Sequence, residues 1–161
     1  MNVIIVPVFR RSDYLLQILS RLAKYDVSKL LFIFFHDQLE KDLLSNQLIL
    51  NQHQNVRCLI EKISAQLGLK YMFISRDKSL GCAGNISQAI DETLSEYDSA
   101  IVLEDDVLLS PSFLVYVNGL LEIIDIKNKP FVLNSNLFYD PLITNMPKNL
   151  GGLSLFFRCW G

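Results

Sequence analysis

Positive charge is scarce in this chain. Its 161 residues carry 15 Lys and Arg against 17 Asp and Glu, a formal net charge of -2. No basic surface is therefore available to release counterions from a polyanion, and nucleic acid is excluded as a partner. Cysteine is scarce too. Cys58, Cys82 and Cys159 are odd in number and far apart, with no C-x-x-C pair and no histidine at metal-ligand spacing, which excludes a disulfide framework and reads as reduced core thiols in a reducing compartment. Long apolar runs are absent. The longest, Leu30 to Phe35, falls far short of the ~18 residues of a membrane span. The N-terminus has no basic stretch ahead of an apolar segment, so the expectation is a cytoplasmic protein with no transmembrane segment, at most peripheral to a membrane. Internal repeats and low-complexity tracts are lacking as well. Charged residues make up 20%, below the ~25% usual for soluble domains, while 50% of residues are apolar, which excludes disorder and suits one well-buried domain over 1–161.

What is present is an alternation of strand and helix patterns. Val3 to Phe9 is apolar and β-branched, broken only by Pro7, as in a strand buried on both faces that ends at a binding loop. Ser12 is placed to cap a helix from Asp13 to Tyr25, in which Leu15, Ile18, Leu19 and Leu22 form one stripe. Leu30 to Phe35 reads as a second strand ending at His36-Asp37, Leu39 to Leu50 as a helix, and Val56 to Leu67 as another that Gly68 stops. Leu69 to Ser75 is a third strand, followed by a loop from Arg76 to Ala83, a helix carrying Ile86, Ala89, Ile90, Thr93 and Leu94, and a fourth strand from Ala100 to Leu103. Ser110-Pro111 opens a helix to about Asp125, Pro130 to Asn134 resembles a fifth strand, Asn136 to Gly152 a long loop, and Leu153 to Arg158 a last short strand. Strands separated by helices predict an α/β layered domain with a mainly parallel sheet covered on both faces.

In such sheets, ligands bind outside the carboxyl ends of the strands. Those ends carry the unusual polar residues: Arg10-Arg11 after strand one, His36-Asp37 after strand two, Arg76 after strand three and Glu104-Asp105-Asp106 after strand four. The triplet sits between Ala100-Ile-Val-Leu103 and Val107-Leu-Leu109 with no polar buffer. Three adjacent anions repel, and a hard divalent cation with room for a substrate's phosphates would offset that repulsion. A solvated turn is the plainer alternative. Gly81-Cys-Ala-Gly84 leads into a helix and offers backbone amides to a phosphate, or is only a turn. Asp37 is equally suited to a base or ribose contact and to capping the next helix. His36 and His53 lack a second ligand and read as structural.

Taken together, Val6-Pro-Val-Phe-Arg-Arg-Ser-Asp-Tyr-Leu15, Phe35-His-Asp37, Arg76-Asp-Lys-Ser-Leu-Gly-Cys-Ala-Gly-Asn85 and Val102-Leu-Glu-Asp-Asp-Val107 resemble the GT-A glycosyltransferases, nearest to the bacterial family-2-like sugar transferases and the N-acetylglucosaminyltransferase I group. Phe157-Arg-Cys-Trp-Gly161 is similar to the start of the family's Trp-Gly-Trp segment. The resemblance implies a three-layer α/β/α, Rossmann-like domain that binds a nucleotide-diphospho-sugar, most simply a UDP-sugar, and transfers the sugar to a glycan or other hydroxyl acceptor with inversion. It implies base contacts for Pro7, Val8, Arg11 and Asp37, and a D-x-D-type element in which Asp106 holds Mn2+ or Mg2+ while Glu104 and Asp105 contact the ribose and donor sugar. Arg76, Gly81 and Asn85 match the Arg, Gly and Asn of the loop that approaches the donor.

Two departures bear on nucleotide preference: Arg10 stands where relatives often carry Asn or Asp, and Ser79 replaces the usual Asn before Leu-Gly. The match ends at Trp160-Gly161, where the family continues into acceptor-binding segments and the carboxylate that deprotonates the acceptor. Asp125 and Asp140 are the carboxylates to weigh for that role, and the catalytic residue stays unassigned. An early stop would leave Phe156, Phe157 and Trp160 exposed to drive self-association. Two other readings remain open here. One is a non-catalytic nucleotide-sugar-binding module completed by another segment or chain, and the other a nucleotidyltransferase using Lys78.

Overall fold

The computed structural model describes residues 2–22 and 24–107, with positions 115 and 119 beyond them. The elements run β1 (Asn2–Val8), α1 (Ser12–Leu22), β2 (Leu30–His36), a 3-10 turn (Leu43–Ser45), α2 (Gln47–Leu67), β3 (Lys70–Ser75), α3 (Gly81–Glu96) and β4 (Ala100–Val102). The four strands form one sheet in the order β3-β2-β1-β4. Every pairing is parallel, with Val3 opposite both Leu31 and Ala100, and Leu31 opposite Lys70.

Strand periodicity divides the apolar runs between two cores. Successive side chains point to opposite faces. Ile4, Val6, Val8, Phe32 and Phe34 therefore meet Leu15, Ile18, Leu19 and Leu22 of α1 and Val56, Ile60 and Ile63 of α2 on one face. Val3, Ile5, Leu31, Ile33 and Phe35 meet Ala89 of α3 on the other. The result is the expected three-layer α/β/α arrangement with a parallel sheet. All seven residues of β2 are buried, which explains why its sequence is a continuous apolar run rather than an alternating one. β3, at the edge, exposes Lys70, Tyr71 and Met72, and an edge lysine discourages pairing with another chain.

The distribution of helices follows from crossover handedness. Moving from β1 to β2 to β3 in one direction keeps α1 and α2 on one face. Returning past β2 and β1 to reach β4 puts α3 on the other. The strand order thus reverses around β1, and the loops after β1 and β4 diverge from the same place.

Three local expectations change. Residues 39–50 are not a separate helix: i→i+3 bonds, Leu43 N–H to Glu40 O at 3.0 Å and Asn46 N–H to Leu43 O at 3.1 Å, make turns there, and one helix begins at Gln47. Asn46 starts it, its side chain accepting from the N–H groups of Leu48 and Ile49, which satisfies donors that the first turn would leave unpaired. Gly68 closes it in the left-handed region, φ 64, with its N–H on Ser64 O, where a side chain would be strained. At α1, Arg11 rather than Ser12 holds the cap position, its carbonyl accepting Leu15 N–H at 3.2 Å. Cys58 and Cys82 are exposed thiols, not core ones, because each falls on the outer face of its helix.

No helix among the described residues is long and apolar enough to cross a membrane. Positions 115 and 119 are helical, inside the helix expected from Pro111 to Asp125. The rest of that helix, the strands expected at 130–134 and 153–158, the loop between them and the apolar Phe156, Phe157 and Trp160 lie outside the described residues. Losing the α2 cap tests the corrected helix start: Asn46→Ala is expected to lower stability by about 1 kcal/mol in urea unfolding, and Gln54→Ala, on the exposed face of α2, to change it by less than ~0.5 kcal/mol.

Candidate functional site

Three backbone bonds extend the sheet ladder past the strand ends. Asp37 N–H donates to Val8 O at 3.2 Å, Arg76 N–H to His36 O at 2.9 Å, and Leu103 N–H to Ile5 O at 2.9 Å. The four polar groups predicted to share a rim therefore do so, at the carboxyl end of a parallel sheet.

At the reversal between β1 and β4, Arg11 spans the gap. Its Nη2 donates to Asp105 Oδ1 at 2.5 Å and its Nη1 to Asp106 Oδ2 at 2.7 Å. The Arg11 side chain is 47% exposed, against 4% for Asp105 and 41% for Asp106. One guanidinium thus joins a buried and an exposed carboxylate. The electrostatics of the pair pull in different directions. Burial lowers the pKa of Arg11, but Asp105 and Asp106 outweigh it and the net shift is upward. Burial raises Asp105 above the usual carboxylate range, and the pull of Arg11 does not fully offset it. Glu104 is raised as well, by burial first and then by Asp106 and Asp105.

On the β2 side, Asp37 is buried and its Oδ1 accepts from the N–H groups of Gln38 at 3.0 Å and Leu80 at 2.9 Å. The carboxylate ties the end of β2 to the loop before α3. His53 Nε2 bonds the Asp37 carbonyl at 2.7 Å and His36 Nε2 bonds the Phe9 carbonyl at 3.0 Å. The two imidazoles stack at 3.9 Å between centroids. The histidines are structural, as expected, and they fix the backbone just after β1, at Phe9, and just after β2, at Asp37. Burial, and then the neighbouring His53, push the His36 pKa down to about 4.

Arg76 is turned into the protein. Its Nε donates to Asn85 Oδ1, Nη1 donates to both Glu92 oxygens, and the guanidinium lies 4.8 Å from the Phe35 ring centroid. Buried Nη2 has no hydrogen-bond partner among the described residues. Asn85 Nδ2 donates to Phe35 O at 3.0 Å, fastening α3 to β2. Gly81, φ 71, opens α3 in the left-handed region, a conformation that favours glycine. Val8 turns its side chain into the α1 and α2 core, whereas Pro7 is half-buried. Beside Arg11, an open cleft of about 320 Å³ is lined by Arg10, Arg11, Ser12, Asp13, Tyr14 and Gln52. Glu92 was not singled out from sequence, and His53 was read there only as structural. Their one signal was position, His53 on the buried stripe with Val56 and Ile60, and Glu92 one turn before the end of α3. Asp125 and Asp140 lie outside the described residues.

No family model matches the sequence, and no curated protein matches it. Solved structures do. The crystal structure of S. aureus TarS aligns at 18% identity and TM-score 0.53 over 76% of this chain and 20% of that one. The mannosyltransferase PcManGT from Pyrobaculum calidifontis, solved in complex with GDP-Man and Mn2+, aligns at 14% identity and TM-score 0.54 over 81% of this chain and 33% of that one. At such identities the likeness is one of fold, and this chain spans a fifth to a third of the length of those structures.

The low His36 pKa fixes a direction of pH dependence. In the unfolded chain the ring takes a proton near 6.5, and in the folded protein only near 4. The stabilisation is full above pH 6.5 and is lost as pH falls from there to about 4, by on the order of 2–3 kcal/mol. Urea unfolding at pH 7.5 and 4.5 measures it. His36→Gln should flatten the difference, and an unchanged pH dependence in the variant contradicts the assignment.

Proposed function

We propose that this chain is the donor-binding domain of a glycosyltransferase that takes a nucleotide-diphospho-sugar together with a divalent cation. The observation that carries the reading is the bridge from Arg11 to Asp105 and Asp106, which puts a cation on paired carboxylates at the point where the strand order reverses. The fold supports it, being shared with a mannosyltransferase whose structure contains GDP-Man and Mn2+.

The residues present fit a metal in one specific way. Among the described residues no three His, Cys, Asp or Glu converge on a common point, so the protein alone offers no cage. Mg2+ and Mn2+ are commonly held by one or two carboxylates plus substrate phosphates. Asp106 suits that arrangement, since it is part-exposed and already holds a guanidinium as a stand-in cation. Bound there with the donor, the metal would supply charge neutralisation to the departing diphosphate.

The remaining residues divide the donor between them. Asp37 and Pro7 border the base, Glu104 and Asp105 lie toward the ribose and sugar, and Arg76, Asn85 and Gly81 fix the loop that approaches the donor. In the family's inverting reaction the acceptor oxygen forms a bond to the anomeric carbon as the bond to the phosphate oxygen breaks. The nucleoside diphosphate leaves with the electron pair, and the acceptor proton passes to a base. Calorimetric titration of UDP, then of other nucleoside diphosphates, with and without Mn2+ tests the reading. Binding is expected to need Mn2+ and to weaken at least about tenfold, ~1.4 kcal/mol, in Asp106→Ala. Binding that is indifferent to both the metal and the substitution sinks it.

A further inference from the structure

Arg11 is anchored by its backbone and salt-bridged at its half-exposed tip. Its carbonyl is committed to the first turn of α1 through Leu15 N–H, while its half-exposed side chain reaches across to the other loop of the reversal. The Asp106 oxygen that it occupies, Oδ2, is on the carboxylate best presented to a metal. A guanidinium and a divalent cation repel at that distance, so the two compete for one position. Removing Arg11 without replacement would leave buried Asp105 uncompensated, which is costly. Two neighbouring features make release feasible: the adjacent cleft of about 320 Å³ gives the side chain room, and a diphosphate offers the guanidinium a second pair of oxygens in fork geometry.

We propose that Arg11 is a latch, the resident cation of the empty site, which keeps free metal off Asp106 and yields it only when metal arrives with a nucleoside diphosphate. The latch rests on the function proposed above. It makes binding synergistic, because metal alone must pay for stripping a salt bridge, whereas the metal-bearing nucleotide re-pairs both the carboxylates and the arginine. The carboxylates keep a cationic partner in either state.

The test titrates Mn2+ alone into the full chain, following free Mn2+ by its EPR signal, for wild type, Arg11→Gln and Arg11→Lys, and repeats each titration with UDP present. Thermal melts establish that each variant is folded, and Arg11→Lys keeps a charge against Asp105 if Arg11→Gln does not fold. Arg11→Gln is expected to bind Mn2+ alone roughly tenfold more tightly than wild type, the scale set by one part-exposed charge pair. Arg11→Lys should fall between them, and the advantage should vanish with UDP. Equal affinity of wild type and variants for Mn2+ alone, in a wild type that does bind Mn2+ with UDP, overturns the latch and leaves the proposed function standing. No binding of Mn2+ with UDP by any form overturns both.

Discussion

A parallel strand with neighbours on both sides imposes the constraint on which the rest depends. β1 pairs with β2 on one side and β4 on the other, and right-handed crossovers send the chain over opposite faces to reach them. The loops after β1 and β4 must part, and the gap between them faces solvent at the carboxyl end of the sheet. Arg11 and the acidic triplet border that gap. The two cores that hold β1 in place, one beneath α1 and α2 and one beneath α3, are therefore also what sets the distance between Arg11 and the acidic triplet.

Burial is the first influence on the carboxylates at the gap. Glu104 and Asp105 are both raised by burial before any neighbour is considered, so the fold holds carboxylates where they are least comfortable. Arg11 offsets that burial only in part, and with a side chain that is half in water. Arg76 is the contrast. It is buried against Asn85, Glu92 and Phe35, and it ties the end of β3 to α3. One arginine is placed to move and the other to stay.

Much of the fold was legible because it depends on local pattern. The uninterrupted runs of β1 and β2, the Leu15-Ile18-Leu19-Leu22 stripe and the Gly68 stop all appear where periodicity puts them. The start of α2 did not, since Leu39, Leu43 and Leu44 imitate helical spacing while the Asn46 cap decides the boundary. That the rim groups would meet was also legible, because it follows from parallel strands alone. Their pairings were not. Arg11 and Asp105 are 94 residues apart and Asn85 and Phe35 are 50 apart, and such contacts depend on register and helix placement that no local window contains. The same holds for the imidazole stack, which joins a strand end to the middle of a long helix. The cysteines misled for a simpler reason: residue type favours burial on average, but the helix face decides each case.

The central claim is one of location, that nucleotide and metal meet in the gap between β1 and β4. Paramagnetic broadening of the amide NMR spectrum by sub-stoichiometric Mn2+ in the presence of UDP tests it most directly. Selective loss of the amides of residues 9–11 and 103–106, with those of the outer face of α2 retained, is the predicted result. Broadening centred elsewhere, or uniform across the chain, would contradict it.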